Sequence, residues 1–228
     1  MRRVAVYAGT RAVYDMMAAA AKSLLAHTRM DRVYFLIEDD EFPEALPDVI
    51  KTINVSDQPF FPENGPNYAS QWTYMSLMRL VLPSYLTERR VLWLDVDTIV
   101  QRDIAELFDL DLGDNVLAMV KEPARSTDVF TYHNSGVALM DLQQMYIARV
   151  SEKCVRLVNR KTFTAPDQDA LNLICQGEIY ELGPQWNAAG CITADVADPY
   201  IRHYAGYQRQ LGRYQFEQYK KAEWRVKT

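Results

Sequence analysis

The sequence predicts an α/β protein: a mostly parallel central sheet flanked by helices, folded as a single domain. Three observations carry this expectation. Short apolar runs rich in β-branched residues alternate with stretches of helical composition through the first half of the chain, as strand-helix-strand units do. One run, Val91 to Leu94 (VLWL), is apolar throughout, which suits a strand covered on both faces. The 228 residues, 49% hydrophobic and 24% charged, are enough for one sizeable core, and no internal repeat or low-complexity linker divides them.

The elements follow in order. Val4 to Ala8 (VAVYA) reads as a strand ending at Gly9, and the alanine-rich Ala12 to Ala26 as a helix. Val33 to Ile37 is a second strand. Six acids and two prolines across residues 38 to 48 make a loop or ragged helix, and Val49 to Val55 is a third strand. Three prolines and a glycine in residues 57 to 67 require an irregular connection. Ala69 to Leu82 is apolar on nearly every face, with Arg79 its one charge, and predicts a buried helix stopped by Pro83. Further strands are expected at Val91 to Leu94, Asn115 to Lys121, Gly136 to Met140, Ile179 to Leu182 and Ile201 to Tyr204. Helices are expected through Arg149 to Asn159 and from Pro166.

Composition excludes disordered, collagen-like and disulfide-scaffold classes. The net charge of −5 has the wrong sign for non-specific nucleic-acid binding, so a phosphate-bearing ligand would need locally placed cations or a metal. The charge is also uneven: residues 207–228 carry six basic and two acidic residues with five aromatics, leaving an acidic body. Such a tail would either contact a membrane surface or anionic acceptor, or pack its aromatics back on the domain. Cys154, Cys175 and Cys191 are an odd number without paired spacing, which points to a reducing cytoplasm. The N-terminus does not read as a signal peptide, and no window approaches 18 uninterrupted apolar residues.

The sharpest local feature is VLWLDVDTIV, Val91 to Val100. Asp95 and Asp97 lie one residue apart just past a buried strand, where they can offer oxygen ligands to a hard divalent cation. Taken alone, a strand end capped by solvated acids is an equal reading. Arg79 needs a partner inside its apolar segment, Asp95 or a backbone carbonyl being candidates. Asn134, Ser135 and Gly136 combine an amide able to read hydroxyls with a residue that lets backbone approach a ligand; alone they are also simply a good turn. Asp167 and Asp169 open a helix after Pro166, where carboxylates are favoured by capping and the macrodipole.

Five motifs in sequence resemble glycosyltransferase family 8, which contains bacterial galactosyl- and glucosyltransferases and glycogenin. They are the stretch from Met75 through VLWLDVDTIV, HNSGVALMDL (His133 to Leu142), PDQDALN (Pro166 to Asn172), Trp186-Asn187, and IRHYAG (Ile201 to Gly206). The resemblance implies a GT-A-type, Rossmann-like catalytic domain over residues 1–206, followed by the tail at 207–228. It also implies transfer of a hexose from a UDP-sugar with retention of configuration. Asp95, Asp97 and His203 would hold Mn2+ or Mg2+, the mixed oxygen and nitrogen set favouring manganese. Asp167, Gln168 and Asn134 would serve the reaction centre, Asp167 at the donor-sugar hydroxyls and Gln168 near the anomeric carbon. Ala8, Thr10, Tyr14, Arg79, Val96, Ser135, Gly136, Asp169, Gly206 and Arg209 would complete the donor site, with Tyr14 stacking on the base, Asp169 an acid behind the donor-binding residues or on the acceptor side, and Arg209 standing where the family has a phosphate-binding lysine. The acceptor would be a saccharide, such as a surface-glycan or lipid-linked one, met in the cytoplasm at the inner membrane face. Two other readings stay open: a nucleotide-sugar-binding protein with weak catalysis, and a haloacid-dehalogenase-type phosphatase with Asp95 as nucleophile, since a strand followed by DxD resembles that loop too.

Overall fold

Along the first apolar run, Val4–Ala8 (β1), side chains alternate between two apolar layers: Val4 and Val6 face one, Ala5 and Tyr7 the other. The computed structural model describes residues 2–192, 196–205 and 209–228, the side chains of 209–212 and 214 excepted. The other strands of its main sheet are Arg32–Ile37 (β2), Ile50–Asn54 (β3), Arg90–Leu94 (β4), Leu117–Lys121 (β6), His133–Asp141 (β7) and Ile179–Leu182 (β8). Thr98–Val100 (β5) and Ile201–His203 (β9) form a separate antiparallel pair.

The main sheet has the order β3-β2-β1-β4-β7-β6-β8. Only β7 runs antiparallel to its neighbours. The chain proceeds outward from β1 through β2 and β3, then returns to the other side of β1 as β4. This reversal opens a crevice beyond the C-terminal ends of β1 and β4, the place where open α/β sheets receive ligands.

One face of the sheet is covered by Tyr14–His27 (α1) and Ala105–Phe108 (α3). The opposite face is covered by Thr73–Leu77 (α2), the 3-10 segment Met78–Ser84, Leu142–Ile147 (α4), Val150–Val158 (α5) and Pro166–Ile174 (α6). Strand β4 sits in the middle, with Leu92 and Leu94 of its apolar run in one layer and Val91 and Trp93 in the other.

The helix expected over Ala69 to Leu82 is a correction. The α-helix begins only at Thr73, a β-branched residue at φ +59°, and passes at Met78 into the 3-10 segment, which includes Pro83 and is kinked at Val81. Apolarity reported burial correctly here, but it does not distinguish a helix from a broken one. Strand β7 starts three residues earlier than Gly136, so that Asn134 and Ser135 belong to the strand rather than to a turn before it.

The C-terminal helix Arg209–Lys221 (α7) packs on α1. Phe216 is buried with Ala19 and Ile99, Tyr219 packs beside it, and Trp224 lies against the main core under the Lys22 ammonium. The tail therefore turns these aromatics inward and leaves Arg213, Lys221 and Arg225 exposed. Among the described residues no helix is long and apolar enough to cross a membrane. Cys154 and Cys175 are buried free thiols and Cys191 is exposed.

Candidate active site

A cavity of about 370 Å³ occupies the crevice beyond β1 and β4. Ala8 and Thr10 enter it from the end of β1, and Asp95, Val96 and Asp97 from the end of β4. Asn134 and Ser135 come from β7, Asp167 and Gln168 from the first turn of α6, Arg79 from the 3-10 segment and His203 from β9. Eleven of the residues expected from sequence thus line one cavity, although they span almost 200 positions.

Three expected residues do not line it. Tyr14 is buried in the neighbouring core, its hydroxyl accepting the Glu38 backbone N–H at 3.0 Å and its ring 5.0 Å from that of Phe42, so it is not available to stack on a base in this cavity. Gly136 lies behind the lining, where a side chain would meet the His203 ring: a Cβ built there falls 2.1 Å from Cε1 and 2.6 Å from Nδ1. A glycine there leaves room for the His203 ring. Asp169 also lies behind the wall, bound by Arg125 at 2.6 Å, by the Tyr132 hydroxyl and by the Ala165 N–H at 3.0 Å. Gly206 lies outside the described residues, as does the Arg209 side chain.

Strand β4 and the β5–β9 pair bring the candidate metal ligands together. The Thr98–His203 pairing sets the imidazole beside the Asp95–Asp97 turn. His203 Nε2 is 3.2 Å from Asp97 Oδ1 and 3.8 Å from Asp95 Oδ2, and one ligand atom from each of the three residues lies within 4.8 Å of the others. Burial disfavours charge on this ring, but the two carboxylates outweigh it and its pKa is raised. Two carboxylates and an imidazole converging on one point fit a divalent cation such as Mn2+.

Arg79, 2% exposed, joins the metal cluster to α6. Its guanidinium reaches Asp95 Oδ1 at 2.7 Å, Asp167 Oδ2 at 3.0 Å and the Ser135 carbonyl at 2.5 Å, and it stacks over Trp93. The Trp93 indole N–H donates to the same Asp95 oxygen at 2.9 Å. Asp95 keeps its other oxygen for the cluster. Burial raises the Asp167 pKa despite the adjacent Arg79, and the charge of Asp95 pushes the same way.

Gln168 is held at both ends of its amide. Its Oε1 accepts the Ser135 N–H at 2.9 Å, and its Nε2 donates to Glu122 at 3.2 Å. Glu122 also accepts from Asn134 Nδ2 at 3.1 Å, and Ser135 donates its hydroxyl to Asp167 at 3.1 Å. Sequence reasoning passed over Glu122, Arg125 and Tyr132. For Glu122 a signal existed: like Asp95, it is an acid placed immediately after a buried strand. Asn187 lies in the Trp186-Asn187 motif, but nothing in the sequence indicates that it touches His203 and Asn134.

The comparisons with known proteins bear on this arrangement directly. Residues 6–209 match the glycosyl transferase family 8 model. The glycosyltransferase GlyE of Streptococcus pneumoniae is 28% identical over 198 residues, covering 82% of this chain and 48% of that protein. The lipopolysaccharide 1,2-glucosyltransferase of Escherichia coli K12 is 31% identical over 132 residues, covering 52% of this chain and 39% of that protein. The chain spans about half the length, or less, of these curated relatives. Among solved structures, GlyE superposes with a TM-score of 0.76 at 23% identity over 98% of this chain and 61% of that one. The galactosyltransferase LgtC gives 0.69 at 21% identity over 95% of both. The fold is that of the GT-A glycosyltransferases. With the family match running from β1 to the start of α7 and enclosing every residue that lines the cavity, the chain belongs to glycosyl transferase family 8.

Proposed function

We propose that this chain transfers a hexose, galactose or glucose, from a UDP-sugar to a saccharide acceptor with retention of anomeric configuration. The observation that carries the reading is the Asp95, Asp97 and His203 cluster beside Arg79 and Asp167 in a family 8 cavity. A divalent cation held by these three residues would neutralise charge on the departing diphosphate. Ala8 and Thr10 would contact the nucleoside, Asp167 the donor-sugar hydroxyls, and Asn134 and Ser135 the sugar.

Gln168 would face the anomeric carbon. An amide is a poor nucleophile and no ordinary base, which argues against double displacement through this side chain. A same-face path suits it: the acceptor oxygen bonds to the anomeric carbon as the bond to the diphosphate breaks, and the acceptor's proton passes to a leaving-group oxygen. Glu122 and Ser135, which grip both ends of the amide, would hold it toward the positive charge that develops on the sugar. A surface-glycan or lipid-linked acceptor at the cytoplasmic membrane face is compatible with the exposed basic residues of the tail.

The test is incubation with a panel of UDP-sugars, saccharide acceptors and Mn2+, following UDP release and product mass. Turnover with one hexose donor and its abolition by chelation are expected. Binding without turnover would favour a nucleotide-sugar-binding protein, and phosphomonoester cleavage would favour the phosphatase reading. Asp95→Asn should lower turnover by about 10²–10³-fold, the scale of losing one charge-stabilising group, with the unfolding transition retained. Wild-type turnover in that variant would remove Asp95 from the metal site.

A further inference from the structure

We infer that Asn187 is a positioning residue for the metal site: it holds His203 as the Nδ1–H tautomer and so leaves the Nε2 lone pair facing Asp95 and Asp97. This rests on the cation reading above and adds a residue and a role to it. A backbone N–H can only donate, and one such group anchors the relay. The Gly136 N–H donates at 3.0 Å to the side-chain oxygen of Asn134, and the Asn134 amide nitrogen donates at its other end to Glu122 Oε2. Both contacts orient Asn134 in the same sense.

Its oxygen can therefore only accept, and the group it meets on Asn187, at 2.8 Å, is the amide nitrogen. That leaves the Asn187 oxygen facing His203 Nδ1 at 2.9 Å. A carbonyl oxygen has no hydrogen to give, so Nδ1 carries the proton of that bond. The remaining ring nitrogen is the one aimed at the two carboxylates. Asn187 is completely buried.

The consequence is chemical. The other tautomer would place an N–H where a cation needs a lone pair, and the ring would have to reorganise before binding. Gly136 contributes twice, since its N–H begins the relay and its missing Cβ gives the imidazole its space.

Two measurements test the proposal. In metal-free, ¹⁵N-labelled protein at a pH where the imidazole is neutral, imidazole nitrogen shifts should report Nδ1–H for His203. A wild type dominated by Nε2–H overturns the proposal without any variant. Mn2+ titration without nucleotide, read by calorimetry and by the free-ion paramagnetic signal, supplies the second. Asn187→Ala should weaken Mn2+ binding by about 10–100-fold and mix the tautomers. Asn187→Asp, which keeps an acceptor opposite Nδ1 but sets a carboxylate oxygen against the Asn134 oxygen, should cost stability while keeping the Nδ1–H tautomer and binding Mn2+ more tightly than Asn187→Ala. Wild-type affinity in Asn187→Ala overturns the relay while leaving the metal site standing. No Mn2+ binding by the wild type overturns the metal reading and the proposal with it.

Discussion

Arg79→Leu is expected to destabilise the fold by about 3–5 kcal/mol, the cost of breaking a buried charge pair from one side. The guanidinium is a cationic partner within 4 Å of both Asp167 and Asp95, and it also satisfies the Ser135 carbonyl. Leucine fills much of the volume but leaves Asp167, itself 5% exposed, without that partner. Burial already raises the Asp167 pKa, and removing Arg79 takes away the interaction that lowers it. A carboxyl whose folded pKa lies above its unfolded value stabilises the fold below the unfolded value and loses that contribution as pH rises through the folded one. The penalty should therefore be largest near neutrality and shrink on acidification. Urea unfolding at several pH values measures it; a loss under about 1 kcal/mol at pH 7 would mean that the pair is not formed as described. Arg79→Lys should recover part of the stability, because a point charge cannot serve Asp95, Asp167 and a carbonyl as a planar fork does.

Gly136→Ala is expected to cost Mn2+ affinity about 100-fold, the upper end for losing a ligand's support, together with about 1–3 kcal/mol of stability from overpacking. The backbone at Gly136 needs no left-handed conformation, so the effect comes from space alone. The added methyl would sit 2.1 Å from His203 Cε1 and 3.0 Å from Asp95 Oδ2. The ring cannot yield cheaply, because Asn187 holds its Nδ1 and the Thr98 pairing fixes the backbone that carries it. Mn2+ titration combined with thermal unfolding checks this, and wild-type affinity would show that the imidazole has another place to go.

Both predictions concern residues that the sequence singled out for reasons only partly those the structure supplies. Arg79 stood out as one charge in an apolar stretch, and a buried guanidinium does need partners. Asp95 was legible as one of them; Asp167, 88 residues away from Arg79, was not, because its approach depends on how α6 crosses the sheet. Gly136 suggested close approach to a ligand, and the close approach is real, but to an imidazole from β9. Tyr14 lies away from the cavity for a related reason. The alanine-rich helix that carries it is apolar nearly all round, so its pattern does not say which way a tyrosine faces, and Phe42 from a distant loop decides it.

The sequence by itself determined the strand order in time, the buried character of β4, the two carboxylates beyond it and the family motifs. These are local properties, set by side-chain period and by what an apolar strand can carry at its end. Only the tertiary structure decided that β4 returns beside β1, that α2 begins at a left-handed threonine, and that Glu122, Asn187 and Gly136 support Gln168 and His203. The physical reason is that hydrogen-bond partners and excluded volume belong to pairs of residues brought together from distant parts of the chain. The pattern of one segment does not record what another will place against it.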